Sequence, residues 1–174
     1  MTRRILALSI LSLGSLSLPA QAVDLDAIGS LGQNDFRLLS EDLGAALSYK
    51  PITPAEPLGL IGFDLGIEVS ATKLENPEIF DIAATGAAPS TLYLPKLHAH
   101  MGLPFGFDIG ASYAAVPDSN IKAWGAELRY AILKGGTAAP ALAVRASYSA
   151  LDGVDELKLT TTGLDVSISK GFAM

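Results

Sequence analysis

The pair His98 and His100 has the only spacing in this sequence that is typical of a metal site. On a β-strand, residues i and i+2 point to the same face, so both imidazoles would lie side by side. Two ligands do not make a zinc site, although Asp108 on the next predicted strand could add a carboxylate. We interpret the histidines as hydrogen-bonding groups in a polar interior, and we predict no bound metal and no cofactor.

Ten ionisable residues, the two histidines included, fall on the same face of the segments that carry them. Acidic and basic members occur on neighbouring segments, so opposite charges are expected to pair across strands. In a barrel of eight strands such side chains nearly fill the interior, which favours a structural role over a charge-selective solute path. The predicted lumen-facing residues are Asp64, Glu68, Lys96, His98, His100, Asp108, Glu127, Arg129, Arg145 and Asp165.

Motifs for catalysis are missing from the sequence. Serines near the histidines belong to other predicted strands, so no Ser-His-acid order is recognisable. Gly102 to Gly110 lies on a predicted hairpin and does not match a phosphate loop or a dinucleotide fingerprint. The chain has no cysteine, which excludes thiolate chemistry and disulfides. We therefore predict a protein that is not an enzyme.

The segments that would position these residues alternate apolar and polar side chains with a period of two, which is typical of half-buried strands. Residues 60–72 show it best, with Asp64 and Glu68 opposite a continuous apolar face. Proline-rich and glycine-rich turns separate the segments. Seven strands are predicted, at 43–50, 60–72, 91–103, 107–115, 122–132, 141–150 and 157–172.

The amino terminus has the three parts of a secretory signal peptide. Arg3 and Arg4 precede a short apolar run that ends at the cleavage pattern Ala20-Gln21-Ala22. We expect residues 1–22 to be removed; a membrane anchor is disfavoured because the apolar run is too short for a spanning helix. Residues 23–42 are interpreted as a short helix or plug. The net charge of −6 becomes more negative on cleavage, so nucleic acid is not an expected partner.

Aromatic residues favour a membrane barrel over a soluble β-sandwich. If the loop 74–90 marks the upper rim, aromatic side chains fall near both ends of the strands, as in the girdles of outer-membrane barrels. The upper group comprises Tyr93, Tyr113, Trp124 and Tyr148, and the lower group comprises Tyr49, Phe63, Phe105, Phe107, Tyr130 and Phe172.

Two hairpins carry a resemblance to a known class. The segments GLPFGFDIGASY (102–113) and LTTTGLDVSISKGF (159–172) resemble hairpins of uncharacterised Gram-negative outer-membrane β-barrel proteins. The resemblance covers roughly 43–172 and concerns strand pattern, not a catalytic motif. It implies a client of the barrel-assembly machinery whose last strand ends in an aromatic residue. Here Ala173 and Met174 follow Phe172, and Lys170 replaces the usual apolar residue.

These patterns together predict an all-β fold: an antiparallel up-and-down transmembrane β-barrel of eight or more strands, seven of them visible in 43–174. Because bacterial single-chain barrels have an even strand number, either residues 24–42 supply another element or the barrel is incomplete at the C-terminus. The expected function is a structural or small-solute role in the outer membrane, with lipid and the assembly machinery as partners. A lipid-modifying barrel enzyme and a soluble periplasmic β-sandwich binding module are the alternatives.

Overall fold

The computed structural model describes residues 24–50, 52–84, 89–117, 119–136 and 139–171. The predicted signal peptide, Phe172 and the two residues after it lie outside these ranges. Within the described ranges, no helix is both long and apolar enough to cross a membrane.

Six antiparallel strands form one curled sheet that resembles half of a barrel. Each strand pairs with the next along the chain, so the predicted antiparallel, up-and-down order is confirmed. The sheet does not close among the described residues, because β1 and β6 each pair on one side only. The strands are β1 (Phe63–Lys73), β2 (Thr91–Gly102), β3 (Phe107–Ala115), β4 (Lys122–Lys134), β5 (Ala141–Asp152) and β6 (Thr160–Ser169).

The strand predicted at 43–50 is wrong, because most of this segment belongs to helix α1 (Gln33–Leu47). Leu43, Ala45 and Leu47 alternate as in a strand. Leu39, Leu43, Ala46 and Leu47, however, have the spacing of one helical face, and all four are buried. Leucine and alanine also have high helix propensity, so burial and propensity both favour the helix. The fold is therefore mostly β, but not all-β.

Helix α1 and a second helix, α2 (Pro77–Ala83), cover one end of the sheet, which we call the helical end. Apolar side chains from both helices pack there against the strand ends, including Leu94 of β2 and Ala123 of β4. The carboxylate of Asp42 on α1 accepts hydrogen bonds from the backbone N–H groups of Glu75 and Asn76, at 3.1 and 2.9 Å. These bonds fasten α1 to the connection between β1 and α2.

The chain between α1 and β1 continues across one face of the sheet. Residues 52–58, which we call the inner segment, lie over that face and bond to side chains of β3, β4 and β6. We call this covered side the inner face and the opposite side the outer face. Away from the helical end, strand alternation assigns polar residues to the inner face and mainly apolar residues to the outer one.

Candidate functional site

All ten residues predicted to share a face do so in the structure, on the inner face. The strand register places them opposite one another: Glu68 pairs with Lys96, Asp108 with Arg129, and Arg145 with Asp165. The sheet therefore gathers positions as distant as Asp64 and Asp165 into one charged surface. Seven of the ten are buried, and these are Lys96, His98, His100, Asp108, Glu127, Arg129 and Arg145.

Opposite charges on this surface form ion pairs. Lys96 Nζ lies 2.7 Å from Glu68 Oε1. Arg145 bridges two carboxylates, with Nη1 3.1 Å from Glu127 Oε2 and Nη2 2.8 Å from Asp165 Oδ2. Burying a charge is tolerated where the partner and further hydrogen bonds compensate its lost hydration. The pairing explains how so many charges occupy a buried face.

The Asp108–Arg129 pair also holds the inner segment in place. Arg129 donates to Asp108 Oδ2 through Nε and Nη2, at 3.1 and 2.8 Å. Its Nη1 donates to Thr53 Oγ1 and to the carbonyl oxygen of Pro54, at 2.6 and 2.5 Å. The other carboxylate oxygen of Asp108 accepts the N–H of Leu58 at 3.1 Å. Two buried side chains thus satisfy polar groups of a segment that has no regular structure of its own.

Tyr49 was predicted for the lower aromatic girdle, and that placement is wrong. It follows α1 and faces inward, where its ring centroid lies 5.4 Å from Lys96 Nζ and 5.2 Å from the guanidinium carbon of Arg145. Its hydroxyl oxygen is 3.2 Å from His100 Nε2. Burial, and next the negative charge of Glu127, raise the pKa of Tyr49, so the hydroxyl stays protonated. This role was not predicted from the sequence, because Tyr49 fitted a strand pattern.

His98 and His100 lie near the centre of the charged surface with their rings 5.1 Å apart. The carboxylate beside both is Asp64, not the predicted Asp108, which Arg129 occupies. Asp64 Oδ2 is 3.3 Å from His98 Nε2 and 3.5 Å from His100 Nδ1. On its other side, His100 Nε2 is 3.2 Å from Glu127 Oε1. The sequence placed both histidines on the right face but could not supply the register that brings Asp64 to them.

A cavity of about 490 Å³ lies between the inner segment and the sheet. Asp64, His98 and Arg129 line one side of it, and Thr53 and Glu56 of the inner segment line another. The side chain of Asp64 remains 41% exposed. Small polar solutes or ions therefore have access to Asp64 and His98 from this side.

The outer face has the opposite chemistry. Most of its large side chains are apolar and exposed on all six strands, and its aromatic residues contact one another across strands. Trp124 and Tyr148 have ring centroids 5.3 Å apart near the helical end, and Phe107 and Tyr130 have centroids 4.7 Å apart near the other end. The exposed set includes Phe63, Leu65, Ile67, Val69, Leu97, Met101, Ile109, Leu128, Ile132, Leu164, Val166 and Ile168.

Comparison with known proteins does not add to this geometry. No protein-family model matches the chain, and searches of curated proteins and of solved structures find no match.

Proposed function

We propose that this protein is an outer-membrane β-barrel protein with a structural or small-solute role and no enzymatic activity. The observation that carries the proposal is the inverted distribution of polarity across the sheet: charges are buried on the inner face, while aliphatic and aromatic side chains are exposed on the outer face. Soluble monomers rarely expose continuous apolar patches larger than a few hundred Å². A sheet that is apolar on its exposed side along six strands suits a lipid environment.

Strand length supports the same proposal. The six strands contain 9 to 13 residues each. A tilted strand needs roughly 9–11 residues to cross the hydrocarbon layer of a bilayer. Aromatic side chains near both ends of the strands, such as Trp124 and Tyr130, would lie at the two membrane interfaces.

The end of the sheet away from the helices adds a further apolar feature. Ile61 and Phe105 occupy neighbouring turns, both with positive φ (57° and 67°) and both almost fully exposed. This conformation is uncommon for any residue with a Cβ and particularly unfavourable for β-branched isoleucine. Strained backbone that presents apolar side chains outward is consistent with a contact to the lipid interface.

A membrane barrel must pair the free edges of β1 and β6, because each unsatisfied backbone group in lipid costs several kcal/mol. We propose that a second copy of the chain pairs with both edges. Since six is even, β6 of one copy runs antiparallel to β1 of a copy in the same orientation. Repetition of the unit would therefore continue the antiparallel order and preserve the even strand number of bacterial barrels.

The two alternative functions, a soluble β-sandwich binding module and a lipid-modifying enzyme, each depend on a particular structural feature. A soluble β-sandwich needs a second sheet over the outer face, whereas the described strands all belong to one sheet. A lipid-modifying enzyme needs an activated nucleophile. The hydroxyl that contacts His100 belongs to Tyr49, whose pKa is raised. Ser112 is in register with His98, but His98 directs Nε2 to Asp64, and its Nδ1 makes no hydrogen bond to any described residue. Paired charges and the overlying inner segment favour a filled interior over an open channel.

Cell fractionation combined with gel mobility tests the proposal. The protein should appear in the outer-membrane fraction and migrate differently before and after boiling, because a folded barrel resists detergent. Recovery from the soluble periplasm, with one mobility in both samples, would contradict it. Chemical cross-linking of the detergent-solubilised protein tests closure separately: a heat-modifiable species that cross-links only as a monomer would exclude closure by a second copy and leave the membrane location standing.

A further inference from the structure

We propose that Asp64, His98 and His100 form a binding site for one divalent transition-metal ion, with zinc as the best-fitting ion. One ligand atom from each residue lies within 4.8 Å of the other two. Tetrahedral zinc with bonds of about 2.0–2.1 Å places neighbouring ligand atoms about 3.3–3.4 Å apart. The two distances from Asp64 Oδ2, 3.3 Å to His98 Nε2 and 3.5 Å to His100 Nδ1, match that spacing.

The imidazoles are buried but incompletely satisfied. His98 and His100 are only 8% and 5% exposed, and Nδ1 of each makes no hydrogen bond to any described residue. A buried polar atom without a partner is costly. In His100 this atom points toward Asp64. A metal bond would give His100 Nδ1 the partner that it lacks.

The opposite nitrogen of His100 has a carboxylate and a hydroxyl beside it. Nε2 lies 3.2 Å from Glu127 Oε1 and 3.2 Å from the Tyr49 hydroxyl. A carboxylate beside the non-binding nitrogen fixes the ring orientation and makes the imidazole a better ligand. Glu127 is itself held by Arg145. We assign Glu127 as a positioning residue for the site.

Glycines on the neighbouring strands make room for the two rings. His98 is in register with Gly66 of β1, and His100 is in register with Gly110 of β3. A Cβ atom on Gly66 would stand 2.6 Å from His98 Nε2, and one on Gly110 would stand 2.2 Å from His100 Cδ2. Real Cβ atoms do not approach other atoms so closely. Each imidazole therefore packs against the backbone of a glycine, in space that the side chain of any other residue at that position would occupy.

The donor set indicates which ions fit. Two imidazoles and one carboxylate suit zinc and, by ligand type, copper or nickel. Calcium and magnesium prefer oxygen ligands and are disfavoured. Three protein ligands leave a fourth position for water, and the cavity beside Asp64 provides the access route.

Zinc titration of the untagged full-length protein, folded in detergent and freed of metal with a chelator, tests the inference. Calorimetry should give one zinc ion per chain, and cobalt should give the absorption bands of a tetrahedral site. Binding should be lost in the double variant His98→Gln/His100→Gln and in Asp64→Asn. Glu127→Gln should weaken binding by about 10- to 100-fold without abolishing it.

Glu68→Gln is the matched control, because Glu68 is a carboxylate of the same strand and face but pairs with Lys96. It should bind zinc as tightly as the wild type. Asp64→Asn changes a partly exposed side chain, so it keeps the test decisive if the histidine variant does not fold. Wild-type protein that binds no zinc, or folded variants that bind it equally well, would overturn the inference.

Discussion

The inner face of the sheet is filled in two different ways along its length. At the helical end, α1 and α2 supply fully buried apolar residues such as Leu39, Leu43 and Phe80. Further along the same face, ion pairs and the inner segment occupy the space, with Asp108 and Arg129 as buried as the leucines. Both regions exclude solvent, but the first relies on the hydrophobic effect and the second on electrostatic pairing.

This difference indicates where each region is vulnerable. An apolar core loses stability gradually, in proportion to the volume removed. Removing one partner of a buried ion pair lowers the free energy of unfolding strongly in a single step, because the remaining charge stays buried without compensation. The charged region should therefore be more sensitive to single substitutions and more tolerant of paired apolar replacements.

The largest expected effect comes from Asp108→Ala. This substitution leaves the Arg129 guanidinium buried without its carboxylate and removes the acceptor for Leu58 N–H. Breaking a buried pair in this way costs about 3–5 kcal/mol in the free energy of unfolding. Urea unfolding of the refolded protein in detergent measures it. The double variant Asp108→Leu/Arg129→Met should recover only the part of the loss that comes from the unpaired guanidinium, because Leu58 N–H and the Pro54 carbonyl still lose their partners. A double variant as unstable as the single one would show that the hydrogen bonds to the inner segment, not the ion pair, dominate here.

At the helical end, Leu43→Ala should destabilise by about 2–5 kcal/mol, because it creates a cavity in a fully buried apolar cluster. The matched control is Phe36→Ala on the same helix, where the side chain is partly exposed and a smaller loss is expected. Unfolding followed by circular dichroism compares the two. Equal losses would mean that α1 does not pack on the sheet as described.

The sequence predicted the sheet well because alternation is a local signal. β3 begins and ends where its pattern predicted, and β2 differs by one residue. The prediction for residues 43–50 was wrong because their apolar spacing fits both a strand period and a helix period, and contacts with distant strands favour the helix. Such contacts are not visible in a window of eight residues.

The candidate site was predictable only in part, for a related reason. The i, i+2 spacing placed His98 and His100 on one face. The third ligand depends on the register between β1 and β2, which sets Asp64 opposite His100 across a long connection. The nearer carboxylate in sequence, Asp108, is taken by Arg129. The position of the inner segment could not be predicted from the sequence either, because it depends on hydrogen bonds to distant strands.

The outer face offers a contrast with both inner regions. Leu65 on β1 is largely exposed, so Leu65→Arg removes little packing within the protein. If this face contacts lipid, the substitution should cost about 2–4 kcal/mol near the bilayer midplane and reduce the yield of folded protein in lipid vesicles. Leu65→Phe, which stays apolar, should fold as the wild type does. Normal yields for the arginine variant in lipid would contradict the membrane proposal.

The smallest effect is expected for an ion pair with the same chemistry as Asp108–Arg129 but in the opposite environment. Arg37 and Glu41 pair along one turn of α1, with side chains 59% and 58% exposed, against 2% and 0% for Arg129 and Asp108. Water already solvates both charges, so Arg37→Ala should change the free energy of unfolding by about 0.5 kcal/mol or less. Raising the salt concentration should reduce even this difference, because exposed charges are screened. Unfolding curves of Arg37→Ala and wild type at low and high salt provide the measurement. A loss comparable to that of Asp108→Ala would mean that burial is not what distinguishes the two pairs, and the contrast between the regions would fail.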